Sequence, residues 1–287
     1  MRINKKVVSF GLIALTTATL AACGKQSDSN TVSKKQVLNW SEITQLSTQD
    51  PSLATDTTSF QALLNTGDGL YRLDKNNKPQ LSLATKAKTS NGGKTYDFYL
   101  RKTAKWSNGD PLTAKDFVYS YKRTVNPATK SQMAFYLYQI KNAQAINKGQ
   151  KSPDTLGVSA PSKYHLRIQL TRPLPYFKIL LSWPLFFPQN QKVVQKYGKL
   201  YGTQAKYTVS SGPFTLTRWN GNNKTWTLIK NKNYWDAKNV KLNKVNEQVS
   251  ESTTTSYNLF EAGKADETGL TGEQVAACLL YTSPSPR

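Results

Sequence analysis

The sequence predicts a mixed α/β fold of the α+β kind, in which short strands and hairpins alternate with single helices. Polar and apolar residues alternate in several short runs, such as residues 95–101, as they do in half-buried strands. Apolar residues recur at helical spacing in other runs, such as residues 117–125. The sequence contains no internal repeat, which excludes a solenoid.

Strands are predicted where aliphatic, aromatic and β-branched residues lie between turn signals rich in Gly, Asn, Asp and Pro. In residues 95–101, for example, Tyr96, Phe98 and Leu100 share one face, which we expect to be buried. The predicted extended segments are, in chain order, residues 39–43, 70–73, 81–87, 95–101, 164–170, 214–219, 225–230 and 242–249.

Helices are predicted where helical spacing coincides with start and stop signals. The clearest helix begins at Thr113, carries an acid at Asp116 as in a capping box, and stops before Pro127. Gly198 and Gly263 close two other helices. The predicted helices are residues 58–64, 113–126, 131–145, 193–197 and 252–262.

The N-terminus predicts a bacterial lipoprotein signal peptide at residues 1–22, because a basic head and a short apolar stretch precede small residues. The apolar run is short for the roughly 20 residues of a membrane span. Leu-Ala-Ala before Cys23 resembles a lipobox, so we expect a lipid on Cys23; an ordinary signal peptide is the alternative. Residues 23–36 are polar and predict a flexible tether, which would hold the protein at the extracellular face of the cell membrane.

The chain is strongly basic: 39 Lys and Arg residues stand against 17 Asp and Glu residues, a net charge of +22. These basic residues are mostly scattered Lys residues and do not form a clustered stripe, so we expect no nucleic-acid partner. For an exported protein, such a charge favours anionic lipid and acidic wall polymer instead.

Sequence signatures of catalysis are absent, since the chain has no GxSxG, HExxH, Walker or GxGxxG motif. The single histidine, His165, lies in a predicted strand, and we interpret it as a surface residue and not as a general base. Two cysteines and one histidine cannot supply a four-ligand zinc site. With 6 Trp, 15 Tyr and 10 Phe, the chain is predicted to be a binding protein without enzymatic activity, metal or cofactor, although most of these aromatic residues will fill cores.

Four motifs between residues 39 and 276 carry a family resemblance. The longest lies in residues 96–120 and contains K-W-S-N-G-D-P-L-T-A-K-D-F-V-Y-S. The others are G-D-G-L-Y at residues 67–71, S-G-P-F at residues 211–214 and N-Y-W-D at residues 233–236. Together they resemble the family 5 extracellular solute-binding proteins, the oligopeptide-binding lipoproteins of ABC importers, although residues 67–68 depart slightly from the family pattern.

The resemblance implies a periplasmic-binding-protein-like fold of type II, in which ligand is enclosed between a lobe I and a lobe III by hinge closure. The implied lobe I consists of residues 37–69 and 196–276, and an inserted domain II consists of residues 70–195. Family members are nearly twice as long as this chain, so we expect lobe III to be missing. Residues 277–287 fit nothing in the family, and we interpret them as a non-native tail.

The resemblance also implies where a ligand would bind. In the family an extended peptide pairs its backbone with protein strands, so the identity of its side chains matters little. The segment after Asp50-Pro51 matches the lobe I strand that pairs with the peptide, which makes Thr55, Asp56 and Thr57 candidate peptide-binding residues. Met133 falls where the inserted domain approaches the cleft.

The function implied is that of a membrane-anchored substrate-binding component of an ABC importer, which binds extended oligopeptides and delivers them to the permease. We expect a monomer whose partners are the peptide, the permease and, through its lipid, the membrane. Two alternatives stay open. One is a receptor of the same fold for a signalling peptide, a nickel chelate or a sugar, and the other is a surface adhesin that uses the basic charge.

Overall fold

Each strand that the sequence patterns predict overlaps a strand of the structure, in the same order, whereas the strand at residues 158–162 and the helix at residues 177–180 are not predicted. The computed structural model describes residues 36–275. Its strands are β1 (Val37–Glu42), β2 (Tyr71–Leu73), β3 (Pro79–Leu81), β4 (Ala84–Ser90), β5 (Thr95–Leu100), β6 (Val158–Ser162), β7 (His165–Gln169), β8 (Phe214–Thr217), β9 (Thr225–Lys230) and β10 (Lys244–Val249). Its α-helices are α1 (Thr57–Thr66), α2 (Ala114–Val125), α3 (Ala143–Asn147), α4 (Phe177–Leu180), α5 (Gln191–Tyr197) and α6 (Thr253–Glu261).

The first sheet takes its strands from both ends of the described chain. Its order is β1-β10-β9-β8, with β1 parallel to β10 and the other pairs antiparallel. One row across the sheet consists of aliphatic side chains that enter a common core, namely Leu38, Val245, Leu228 and Leu216. Helix α1 contacts β8 and adds Ala62 to this core.

The second sheet is antiparallel and comes from the interior of the chain, in the order β4-β5-β7-β6. Tyr96, Phe98 and Leu100 of β5 are buried, which confirms the face predicted from their alternation. Helix α2 lies against β6 and β7 and buries Phe117 and Tyr121 completely. The two sheets therefore have separate cores, and the division into lobe I and domain II segments stays a prediction.

Local capping explains where the two main helices begin. The Asp56 carboxylate accepts a hydrogen bond from the Ser59 N–H at 2.8 Å and so caps α1. The Thr113 N–H donates to Asp116 Oδ2 at 2.7 Å, which confirms the predicted capping box of α2.

The predicted helix at residues 131–145 is wrong. The structure has a short 3-10 helix at Ala134–Leu137 and then α3, with a break between them. In the break Ile140 forms a β-bridge with Leu170, and the Lys141 N–H donates to the Gln169 carbonyl at 2.8 Å. The spacing of apolar residues does not reveal the break, because it depends on a distant part of the chain. In the break the backbone forms hydrogen bonds to the end of β7 in place of helical ones.

Asp68 joins chain segments that are far apart in sequence. Its carboxylate is fully buried and accepts hydrogen bonds from the Ser82 hydroxyl at 2.7 Å and from Arg72 Nε at 3.0 Å. It also accepts hydrogen bonds from the Trp235 indole N–H at 2.9 Å and the Tyr234 hydroxyl at 3.2 Å. Asp68, one of the two residues that depart from the family pattern, is therefore a buried anchor that holds distant chain segments together.

The two chain segments that run between the sheets touch beside this anchor. The Gly212 N–H donates to the Thr66 carbonyl at 2.9 Å, and the Asp68 N–H donates to the Ser211 hydroxyl at 3.0 Å. A Cβ atom on Gly212 would lie 2.7 Å from the carbonyl carbon of Gly67. Only glycine therefore permits this close approach.

Asp68→Ala should destabilise the fold, because it leaves several buried or half-buried donors without their acceptor. We expect the free energy of unfolding to fall by about 2–4 kcal/mol. Asp154→Ala is the control, since it removes an exposed carboxylate that pairs with Lys122 at the surface, and should leave the free energy of unfolding nearly unchanged. Urea denaturation measures both values, and equal losses would contradict the role of Asp68.

Candidate functional site

An open groove of about 590 Å³ lies between the end of β1 and the start of α1. One wall is formed by residues 40–44, and the other by residues 55–58 with the next turn of the helix. The lining residues are Trp40, Ser41, Glu42, Ile43, Thr44, Thr55, Asp56, Thr57, Thr58 and Gln61.

β1 is an edge strand whose backbone borders the groove at Ser41. The Glu42 carbonyl accepts the Ser250 N–H at 2.8 Å, so Glu42 directs its backbone groups toward β10. Backbone groups along a strand point alternately to its two sides, so those of Asn39 and Ser41 point away from β10. At Asn39 this outer edge is occupied by Asp266, which accepts the Asn39 N–H at 2.6 Å and donates its own N–H to the Asn39 carbonyl at 2.9 Å.

Thr55, Asp56 and Thr57 line the groove, but they do not form the expected strand. That expectation is wrong, because Asp56 caps α1 and Thr57 is the first helical residue. These residues face the groove as a loop and a helix start. Contact between them and a peptide stays a prediction.

Met133 is not among the residues that line the groove. It directly precedes the 3-10 helix Ala134–Leu137 and packs, half-buried, against the core of the second sheet. The ring of Tyr136 in that helix lies 5.3 Å from the ring of Trp183. Trp183 belongs to a second cavity of about 460 Å³, which shares Gln61 with the groove. The segment that follows Met133 therefore reaches this neighbouring cavity.

Two carboxyl groups lie on the same face of the first sheet, and one of them lines the groove. Glu42 lines it, and Glu247 on β10 is paired in register with Trp40. Residues two apart on a strand share a face, so Trp40, Glu42 and Glu247 all project from the same face of the sheet. Glu247 is only 7 % exposed, and its Oε2 atom has no hydrogen-bond partner in the described part of the chain.

The environment of this pair favours the protonated form of the inner carboxyl. Burial raises the pKa of Glu247 to about 8, and the negative charge of Glu42 adds to the rise. Burial also raises the pKa of Glu42, against a hydrogen bond from the Trp40 side chain that lowers it. At neutral pH Glu247 is therefore mostly neutral while it has no cationic partner.

The free energy of unfolding of the wild type should fall as the pH becomes alkaline, and Glu247→Gln should abolish this fall. The folded-state pKa of about 8 lies above the ordinary value of 4.5, so the folded protein holds a proton that the unfolded chain has released. The resulting stabilisation is complete below the unfolded pKa and is lost as the pH rises through the folded pKa. Between pH 5 and pH 9, we expect the wild type to lose on the order of 2–4 kcal/mol more than the variant.

Urea denaturation at pH 5, 7 and 9 measures this difference. Glu251→Gln is the control, because Glu251 is exposed and pairs with Lys224 at the surface. Parallel pH profiles for the wild type and Glu247→Gln would show that Glu247 titrates normally.

His165 belongs to a polar cluster on the outer face of the second sheet. Its Nε2 atom lies 2.6 Å from Asp97 Oδ1, and its ring stacks on Tyr99 at 4.8 Å. Arg167 Nε donates to the same carboxylate at 2.8 Å. The interpretation of His165 as a surface residue needs correction, since its side chain is only 17 % exposed.

Within residues 36–275, no group of three or more His, Cys, Asp or Glu side chains is placed to hold a metal ion. No helix in the same span is long and apolar enough to cross a membrane. Cys23 and the predicted tail at residues 277–287 lie outside the residues that the structure describes.

The chain belongs to the bacterial extracellular solute-binding proteins of family 5. Residues 78–279 match the model described as "Bacterial extracellular solute-binding proteins, family 5 Middle". This confirms the resemblance carried by the four motifs. The match extends three residues into the segment that was expected to fall outside the family pattern.

Named relatives agree with the family and with the fold. The dipeptide-binding protein of Lactococcus lactis subsp. cremoris is 40 % identical over 260 residues, which cover 90 % of this chain and 46 % of that protein. A structure of Listeria monocytogenes OppA bound to peptide has a TM-score of 0.84 at 38 % identity, and covers 87 % of this chain and 49 % of that one. The substrate-binding domain of an oligopeptide ABC transporter from Bacillus anthracis has a TM-score of 0.85 at 44 % identity. The match covers 88 % of this chain and 48 % of that one.

These matches confirm the predicted mixed α/β, periplasmic-binding-protein-like fold. The chain spans about half the length of the relatives it matches.

Sequence reasoning missed Ser41, Glu42 and Glu247 as residues of the site. Ser41 and Glu42 were included in a predicted strand without a functional role. A signal for Glu247 was present, because Val245, Glu247 and Val249 alternate along β10 and the acid stands in the apolar series. An acid at such a position either is neutral or has a special partner.

Proposed function

We propose that this protein is the peptide-binding component of an ABC importer, and that an extended oligopeptide binds in the groove by adding a strand to the outer edge of β1. The single observation that carries this proposal is the edge at Ser41, which borders an open groove. Peptide addition to a free sheet edge draws affinity from main-chain hydrogen bonds. The relatives named for dipeptides and oligopeptides support a peptide ligand.

The chemistry of the groove suits binding without transformation. Its polar lining groups are five hydroxyl groups, two carboxyl groups, one amide and the indole N–H of Trp40, and they can satisfy peptide polar groups in several ways. Recognition through the backbone would leave the peptide sequence largely free. In this proposal the protein has no enzymatic activity and no cofactor, acts as a monomer, and passes its peptide unchanged to a membrane permease.

Ser41→Pro should weaken peptide binding while it leaves the first sheet intact. Proline removes the N–H at the outer edge, where a missing donor does not break the β1–β10 ladder. One lost hydrogen bond to a buried partner costs about 1–3 kcal/mol, so we expect peptide affinity to fall about tenfold or more. Isothermal titration calorimetry with mixed peptides measures this on protein expressed from the complete genomic reading frame that contains residues 37–276.

Thr57→Pro is the matched comparison. Proline is well tolerated at the first position of a helix, so α1 should still form. A loss of affinity in Thr57→Pro alone would place the paired segment at residues 55–57 and contradict pairing with β1. No heat with any peptide, in wild type as in both variants, would exclude the peptide-binding function itself.

We further propose that Cys23 carries a lipid that holds the protein at the extracellular face of the cell membrane. Two or more acyl chains give lasting attachment, since each buried methylene contributes about 0.8 kcal/mol. Cys23→Ser should shift the protein from the membrane fraction to the medium, as measured by immunoblotting of both fractions. The wild type should incorporate labelled palmitate and the variant should not. A variant that stays in the membrane fraction would contradict lipid anchoring.

A further inference from the structure

Glu247 is an exception among the buried carboxylates of the described chain. Three others, Asp50, Asp68 and Asp97, are also at most 8 % exposed. Each of those three pairs with an arginine, namely Arg123, Arg72 and Arg167. Within residues 36–275, Glu247 has no such cationic partner. This is notable in a sequence with 39 basic and 17 acidic residues.

Glu247 does not line the groove itself, but it neighbours two residues that do. Glu247 has Trp40 as its cross-strand neighbour on β1, and its charge couples to that of Glu42. Both Trp40 and Glu42 line the groove. The ten lining residues include two acids, Glu42 and Asp56, and no lysine or arginine. A cation in the groove can therefore contact Glu42, whose charge couples to Glu247.

We propose that Glu42 and Glu247 form a subsite for an organic cation of the bound peptide, an ammonium or guanidinium group. The inference rests on the proposed peptide-binding function and adds a preference for basic peptides to it. The cation would contact Glu42 in the groove and stabilise the ionised form of the pair from there. Trp40 supplies an aromatic face next to Glu42, which also attracts cations.

The basic charge of the chain makes a preference for basic peptides informative about local contacts. A net charge of +22 repels cationic ligands at long range. Long-range attraction by the charge of these 287 residues therefore does not explain a preference for basic peptides.

Matched peptides test the subsite. One series is tetra-alanine with lysine at each position in turn, and the second has norleucine at the same positions, so that the pairs differ only in the ammonium group. Each peptide is also used with an acetylated N-terminus, which separates a side-chain cation from the terminal amine. Affinities are measured by isothermal titration calorimetry at pH 7 on protein from the complete reading frame.

We expect the wild type to bind a cationic peptide at least tenfold more tightly than its matched neutral peptide. If the subsite binds a side-chain ammonium, the advantage should appear at one lysine position and should not depend on acetylation of the N-terminus. If it binds the terminal ammonium, the advantage should appear in every peptide with a free N-terminus and disappear on acetylation. In Glu42→Gln and in Glu247→Gln the ratio of the two affinities should fall below threefold. Asp154→Asn, which changes an exposed carboxylate that pairs with Lys122 of α2, should keep the full advantage.

The outcomes separate this inference from the proposed function. Equal binding of the charged and neutral peptides by the wild type would overturn the subsite and leave peptide binding established. An advantage that persists in Glu247→Gln would show that Glu42 acts alone, which also overturns the pair. If the wild type binds neither series, the peptide-binding function fails. Thermal denaturation of each variant confirms that it is folded.

Discussion

The buried carboxylate of Asp68 is the constraint on which the rest of the structure depends. It accepts hydrogen bonds from Arg72, Ser82, Tyr234 and Trp235, which come from three separate chain segments. Arg72 in turn donates to the carbonyl groups of Leu64 and Gly67 at the end of α1. Because a buried charge without partners is strongly unfavourable, these segments have to meet in one arrangement. The end of α1 and the passage between the two sheets are thereby fixed together.

The two walls of the groove depend on this arrangement in different ways. One wall belongs to β1, which is held in the sheet by β10, about 200 residues later in the chain. The other wall belongs to the start of α1, which is positioned by its cap at Asp56 and by the anchoring of its far end. The site is therefore built from residues 40–44 and 55–58, yet its geometry is determined by contacts with residues near 235 and 247.

Charged side chains of the molecule occur in two kinds of environment, buried ion pairs that stabilise the fold and the open groove. Arginines neutralise the buried aspartates, and exposed lysines remain on the surface. The groove has the opposite character, because its ionisable lining groups are acids. A charged ligand therefore meets a basic surface as it approaches and an acidic environment inside the groove. The overall charge and the local field act on it in opposite directions.

The sequence by itself determined the fold class, the capping of α2 and the strand faces, because these follow from short-range periodicity and turn chemistry. The family followed from the resemblance of four sequence motifs. The sequence also marked residues 55–57 beside the groove, but as a strand, since the cap at Asp56 was not recognised. Only the tertiary structure decided that residues 131–145 break into two short helices, that Asp68 unites distant motifs, and that the buried Glu247 shares a sheet face with Glu42. Each of these depends on strand pairing or burial between residues far apart in sequence, which local patterns do not encode.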